Sequence, residues 1–367
     1  MPVALFDPQT PLAPLRERLL QAIEAVVDGG AYILGPEVEA FEAEFAAHLG
    51  AGHAVGVANG TEALTIALRA LGVGPGDEVV VPSFSFYATA EAVPPTGATP
   101  VFCDVDPATY CVTVESVRAA LTPRTKAIVA VHLFGNVAPV RELEAELGLP
   151  VVEDAAQAAG SQAPDGARPG ALGTMATFSF YPSKNLGAFG DGGAVTTSDD
   201  ALADAVRTLR FHGSPDRETY ELVGYNSRLD EVQAAVLRVM LPELDGWADA
   251  RRAAGEAYAA AGLGELVRLP LPVGAAQPAW HVYVVANARA DELAAGLRER
   301  GIGCKAYYRV PIHRQPAMAP FAQGVSLPGT DEAARTHLAL PMGAALGVDD
   351  VAEVVGAVRE VLAGGGS

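Results

Sequence analysis

The sequence predicts an α/β protein with a mainly parallel sheet in a large domain and a smaller α+β domain at its C-terminus, and three observations carry that prediction. The first two thirds of the chain alternate short β-branched runs with amphipathic helical patterns, as strands covered by helices do. A breaker-rich stretch, RLPLPVGAAQP at 268–278, interrupts that alternation, and a different pattern follows it. The length of 367 residues exceeds one ordinary domain and leaves ample chain for a core.

The strand readings are 54–58, 78–81, 100–104, 127–133, 151–153, 177–181 and 193–197, several of them continuously apolar, as strands buried on both faces are. Leu64, Ala67, Leu68 and Leu71 recur at helical spacing, so 61–71 reads as a helix with one buried face, ended by Gly72. Residues 241–261 form an Ala-rich helical stretch. The N-terminal arm and large domain are placed at 1–245 and the small domain at 246–367. The small domain is expected to hold a strand at 281–286, a helix at 290–300, an extended stretch at 304–310 and a closing helix at 349–362, with a frayed tail at 364–367.

The 44 acidic and 25 basic side chains give a net charge of −19, which repels polyanions and excludes nucleic acid as the expected partner. A small phosphorylated ligand remains compatible, because a pocket supplies its own N–H groups and arginines. The first residues lack a basic segment followed by an apolar run, and no stretch approaches the roughly 18 apolar residues of a membrane span, so a cytoplasmic protein without a membrane partner is expected. Cys103, Cys111 and Cys304 have neither the number nor the spacing of a disulfide framework or zinc site; they read as buried thiols, and no metal is expected.

Only three lysines occur: Lys126, Lys184 and Lys305. Lys184 stands out, because in FSFYPSKNLGAFGDGG an apolar strand runs into turn residues and carries an amine toward the crevice above a parallel sheet. A lysine drawn partly out of water has its pKa lowered toward the neutral form that attacks carbonyls. Thirty residues earlier, VVEDAAQAAG ends a strand on Asp154, a carboxylate that needs a cationic partner if buried. An Asp facing a pyridinium, with a lysine on the ring's aldehyde carbon, is the arrangement of pyridoxal phosphate (PLP) sites. Gln157, read as one helical turn above Asp154, is placed to reach the same ring's phenolic oxygen. In VANGTEAL a strand opens into a helix, and Asn59, Gly60 and Thr61 offer the N–H groups and hydroxyl that hold a phosphate. Phe86, in PSFSFYATA, offers a ring to stack on a planar ligand.

In that chain order these elements resemble the DegT-type family of PLP-dependent nucleotide-sugar aminotransferases. The likeness spans nearly the whole chain through GPEVEAFEAEF, NGTEAL, PGDEVVVPSFSF, PVFCDVDPATY, TKAIVAVHLFG, VVEDAAQAAG, FSFYPSKNLGAFGDGG, GYNSRLDEVQAAVL and LALPMG. It implies an aspartate-aminotransferase-like PLP-dependent transferase fold (fold type I) and a homodimer with shared active sites. By the same resemblance Lys184 bears the cofactor, Asp154 pairs with its ring nitrogen, Gln157 with its phenolic oxygen and Phe86 with its face. Gly60, Thr61 and Ser179 hold the phosphate, completed by Asn226 from the neighbouring subunit. The implied reaction takes an amino group from L-glutamate to a keto-sugar nucleotide.

Family members that dehydrate sugars carry histidine at the lysine position, so Lys184 points to transamination. NSRLDE at 226–231 is similar to members acting at C3 of dTDP-linked 6-deoxyhexoses, whereas C4-acting members more often read NYRMSN or NYRLTD there; a 3-keto acceptor is therefore expected, with a 4-keto acceptor as the alternative. Tyr181, Arg217, Tyr307, Arg309 and His313 are the candidate substrate contacts, and Lys305, Arg309 and Arg314 the basic run available to a diphosphate. The stretch CKAYYRVPIH departs from the family's GIHYPxPxH, with Tyr307 at a frequent His and Arg309 at a frequent Pro. Two rival functions share the fold: a non-catalytic PLP-binding regulator, which needs no Lys184 and Asp154 pair, and a cysteine desulfurase, which needs a cysteine on a mobile loop rather than Cys103 or Cys111 beside a strand.

Overall fold

Seven strands form one sheet in the computed structural model, which describes residues 3–364. They are β1 (His53–Val57), β2 (Glu78–Pro82), β3 (Thr99–Cys103), β4 (Thr125–Val131), β5 (Val151–Asp154), β6 (Met175–Ser179) and β7 (Gly193–Thr197), each within two residues of its sequence reading. The order is β1-β7-β6-β5-β4-β2-β3, with β7 antiparallel to both neighbours and every other pairing parallel. All strands except β7 therefore run the same way, and the carboxyl ends of β1, β2, β5 and β6 share one edge.

Helices cover both faces. The helix Gly60–Ala70 starts where Asn59 Oδ1 accepts the Glu62 N–H at 2.9 Å, and it buries Leu64, Ile66 and Leu68 in a core with β2, β4 and β5. On the other face the helix Pro36–Leu49 brings Phe41 and Phe45 onto Phe178 and Phe180, with ring centroids 4.9–5.5 Å apart and edges against faces. Fully buried aromatic pairs of this geometry add about 0.5–1.5 kcal/mol each beyond their area.

The C-terminal part builds a third core around Tyr258, Leu293, Leu338 and Val354, beneath the antiparallel pair β8 (Tyr283–Ala286) and β9 (His337–Leu340). Sequence reading treated the run leading into LALPMG only as a motif; β9 is too short to separate from a loop without its partner. The stretch at 304–310 is extended only at its start, where Lys305 pairs with Ala339, because Tyr308 adopts φ 69° and turns the chain. The helix Leu244–Ala260 crosses the 245/246 boundary, Val3 joins the third core through a parallel bridge to Ile302, and Ile312, Met318 and Leu327 pack into the large core instead. The closing helix is Val348–Gly364; of the expected frayed tail, 365–367 lie outside the described residues. No described helix is long and apolar enough to cross a membrane.

Candidate active site

The shared edge collects the residues that the sequence singled out. At its centre Asp154 ends β5, 6% exposed; its Oδ2 accepts from Thr89 Oγ1 at 2.9 Å and its Oδ1 from the Ala156 N–H at 3.3 Å. Thr89 is held in turn by Ser85 Oγ at 2.9 Å. Burial raises the Asp154 pKa, and the Thr89 and Ala156 hydrogen bonds together with the Lys184 charge oppose that rise. Two neutral donors do not balance a buried carboxylate; a cation at this place does.

Lys184 lies on the loop after β6, its N–H donating to Tyr181 O at 2.8 Å. Burial lowers its pKa to about 8, against the pull of Asp154, so a sizeable neutral fraction exists near pH 8.

The place expected to hold a phosphate is set by close approach. A Cβ on Gly60 would sit 2.7 Å from Ser179 Cβ, so only glycine lets the helix N-terminus meet the end of β6. Gly193 is under the same constraint, because its Cβ would meet the Asn59 carbonyl at 2.6 Å. Asn59 takes the Glu62 N–H, which leaves those of Gly60 and Thr61, with no intrahelical acceptor, to an anion. Phe86 is 56% exposed, its ring open to the crevice and 6.3 Å from that of Tyr308.

Gln157 is near Asp154, but on consecutive turns rather than a helix. Its Oε1 accepts from the Phe134 N–H at 2.7 Å, and its Nε2 donates to Tyr308 Oη at 3.4 Å. Tyr308, which sequence reading passed over, is therefore part of the site: its ring stacks on Phe134 at 6.2 Å and burial pushes its phenol far up. The doubled Tyr307-Tyr308 was the available signal, and only the left-handed turn decides which of the two goes inward. Tyr307 stays half-buried with the Lys305 ammonium 4.9 Å from its ring centroid.

The remaining candidates divide. Tyr181 is exposed at the crevice mouth, its N–H donating to Ser179 Oγ at 3.4 Å. Asn226 is exposed beside Ser227, whose Oγ accepts the Ala58 N–H at 3.1 Å. Arg217 adopts φ 68° and lies 5.1 Å from the Phe211 ring, which Arg228 also covers at 5.5 Å, so both belong to the loop that carries Asn226.

Arg309 and His313, expected as substrate contacts, are both engaged within the protein. Arg309 Nη1 donates to the carbonyls of Ala334 and Arg335 at 2.9 and 2.7 Å, and Nη2 pairs with Asp291 at 2.7 Å, so it caps the helix Pro328–Thr336. The buried ring of His313 meets Ser83 Oγ at 2.6 Å and packs on Phe102, which ties the 312–314 turn to β2 and β3.

One buried pair escaped the sequence reading entirely. His132 Nδ1 accepts from the Ala138 N–H at 2.9 Å, which leaves the proton on Nε2, and Nε2 donates to Glu153 Oε2 at 2.8 Å. Glu153 also accepts from the N–H groups of Gly170, Leu172 and Gly173 at 2.9–3.0 Å. Strand alternation turns Glu153 into the protein and Asp154 into the crevice, a signal that VVED carried.

An amine at the carboxyl edge of this sheet, with a small α+β unit beside it, defines a transferase of the PLP-dependent, aspartate-aminotransferase-like fold. The sequence pattern of the DegT/DnrJ/EryC1/StrS aminotransferase family matches residues 14–359, and the chain belongs to that family. It is 48% identical over 367 residues to dTDP-3-amino-3,4,6-trideoxy-alpha-D-glucose transaminase of Streptomyces venezuelae, covering 98% of this chain and 96% of the relative. It is 43% identical over 350 residues, 93% of this chain and 94% of the relative, to a protein of Geobacillus stearothermophilus named pleiotropic regulatory protein. The solved structure of S. venezuelae DesV in complex with a ketimine intermediate superposes with a TM-score of 0.94 at 46% identity, covering 98% of both chains.

Proposed function

We propose that this aminotransferase uses PLP to move an amino group from L-glutamate to a keto-sugar nucleotide, with a 3-keto-6-deoxyhexose linked to dTDP as the acceptor. The carrying observation is that Lys184, its pKa lowered to about 8, and Asp154, buried without a cationic hydrogen-bond partner, meet in one crevice. The residues fit the cofactor. The tight Gly60–Ser179 approach forms a cradle that a side chain would fill, the open Phe86 ring offers a stacking face, and Asp154 suits a protonated ring nitrogen. Gly60, Thr61 and Ser179 would hold the phosphate, Gln157 the phenolic oxygen and Lys184 the aldehyde carbon, with Asn226 supplied by a second subunit.

PLP, when bound, supplies an electron sink for a carbanion at the donor's α-carbon. Asp154 would keep a proton on the ring nitrogen, because a buried carboxylate favours a cationic partner. Lys184 Nζ, neutral in sizeable fraction near pH 8, takes the α-proton and returns it. Tyr308 and Gln157 fix one wall through their hydrogen bond, and Phe86 shields the ring face from water.

The C3 ketone is supported by NSRLDE at 226–231 and by the S. venezuelae relative, whose name specifies a 3-amino sugar. A homodimer is supported by exposed apolar side chains on the segments near Asn226: Tyr32, Ile33, Tyr220, Leu222 and Val223, the last 84% exposed. The regulator reading takes its support from the Geobacillus relative's name, and the Lys184–Asp154 pair weighs against it. A panel of 3-keto and 4-keto nucleotide sugars, incubated with glutamate and read by mass, tests the proposal. Amination of the 3-keto substrates is expected; amination of 4-keto substrates alone overturns the regiochemistry, and none at all with no glutamate-driven spectral change overturns the transfer.

A further inference from the structure

We propose that Arg251 binds a carboxylate of the amino-acid donor, a reading that rests on the transamination proposed above and assigns its donor subsite. Arg251, on the helix Leu244–Ala260, lines a cavity together with Lys184, Ser183, Phe6, Asp7 and Trp247, so Arg251 and Lys184 border the same space. Its Nη1 donates to two neutral acceptors, Trp280 O at 3.1 Å and His281 O at 3.4 Å. Its buried Nε has no partner, and among the described residues no carboxylate lies within 4 Å of the group. Burial with nothing to offset it lowers the pKa to about 10. The cavity's own carboxylate, Asp7, makes no ion pair with Arg251 among the described residues, and its Oδ1 accepts the N–H groups of Gln9 and Thr10 at 3.0 and 3.1 Å.

A buried guanidinium without a counter-ion is costly, and its planar fork matches a carboxylate in two parallel hydrogen bonds. The anion expected beside it is selected by the surroundings. The phosphate-binding N–H groups belong to the helix Gly60–Ala70, at the end of β1. Around Arg251 the walls are instead Phe6, Leu12, Met240 and Trp247, suited to the methylene chain of a small amino acid. His281 adds no competing charge: burial, Lys184 and Arg251 itself hold its pKa well below the ordinary value. A donor carboxylate at Arg251 leaves its α-amino group on the Lys184 side of the cavity.

The test compares the parent holoenzyme with Arg251→Gln and Arg251→Lys. Maleate, a dicarboxylate that cannot transaminate, is titrated by calorimetry, and the two half-reactions are followed separately by cofactor absorbance. Losing a charge-assisted pair is worth about tenfold or more in binding. Arg251→Gln is therefore expected to weaken maleate and glutamate by that factor, with a nearly unchanged limiting rate and an unchanged sugar half-reaction, and Arg251→Lys to fall between. Arg251→Lys keeps a donor for the Trp280 and His281 carbonyls, so it serves if the Gln variant does not fold. Maleate and glutamate binding within twofold of the parent in a folded variant overturns the assignment. So does equal loss in both half-reactions, which marks Arg251 as a brace for residues 280–281. If the parent binds maleate through Arg251 yet glutamate produces no conversion, the transamination proposal fails while the anion site stands.

Discussion

At the scale of single residues, Lys184 and Asp154 make opposite compromises. Burial pushes the amine down to about 8 and the carboxyl up, and each charge partly restores the other. Because only an amine can hold the cofactor's aldehyde carbon, Lys184→Ala is expected to abolish turnover and the borohydride-reducible linkage while leaving circular dichroism unchanged. Full activity in that variant removes the mechanism. The Lys184 pKa also predicts a stability effect with a definite sign. Its folded value lies below the unfolded one, so between about pH 8 and 10 the unfolded chain binds more protons and stability rises with pH. Without cofactor, Lys184→Met is expected to melt above the parent at pH 7, by a margin that shrinks as pH rises past 8; a constant margin means that burial of the charge is not the cause. Asp154→Asn removes the anion that keeps the ring nitrogen protonated, and a fall in turnover by orders of magnitude is expected even with cofactor retained. Activity within a few-fold of the parent means that the ring nitrogen is paired elsewhere.

At the scale of elements, the site depends on how closely a helix start meets a strand end. Gly60→Ala drives a Cβ into Ser179 at 2.7 Å, and overpacking of this kind costs about 1–3 kcal/mol. Denaturant unfolding should show that loss in the single variant and a smaller one in a Ser179→Gly background, since the clash needs both Cβ atoms. Additive losses place the strain elsewhere. A second joint is the Glu153–His132 pair, which ties β5 to the end of β4 and to residues 170–173. Glu153→Ala leaves His132 and three buried N–H groups unsatisfied, so a destabilisation of about 3–5 kcal/mol is expected, checked by the same unfolding measurement. A loss under 1 kcal/mol means that water replaces the carboxylate there.

At the scale of the whole molecule, five of the exposed apolar side chains, Tyr32, Ile33, Tyr220, Leu222 and Val223, lie on the segments near Asn226. If a second copy covers them and Asn226 completes the phosphate site, assembly and cofactor binding are linked by mass action. Sedimentation is expected to show a dimer, and dilution below its dissociation constant to release cofactor together with the second chain. An active monomer contradicts that linkage. The Val3–Ile302 bridge carries the start of the chain into the third core, and Ser83 ties Ile312 and His313 to the end of β2. Residues from both sides of the 245/246 boundary therefore share cores.

Much of the architecture is local information. Continuous Val and Ala runs make a strand wherever both faces are covered, and Asn59 and Gly60 start a helix by their own chemistry, so all seven large-sheet strands and the helix Gly60–Ala70 were legible in the sequence. The placement of Asp154 at the end of β5 was legible too, since a carboxylate closing an apolar run is anomalous by itself, with Lys184 on the loop that follows β6. What tertiary structure decided depends on partners far away in the chain. His132 found Glu153, Tyr308 rather than Tyr307 turned inward, β9 formed only against β8, and Arg309 and His313 were claimed by a helix end and by Ser83. A strand or cap is specified by residues a few positions apart, whereas the use of a polar side chain depends on which acceptor the fold brings within 3 Å, and no short-range pattern encodes that.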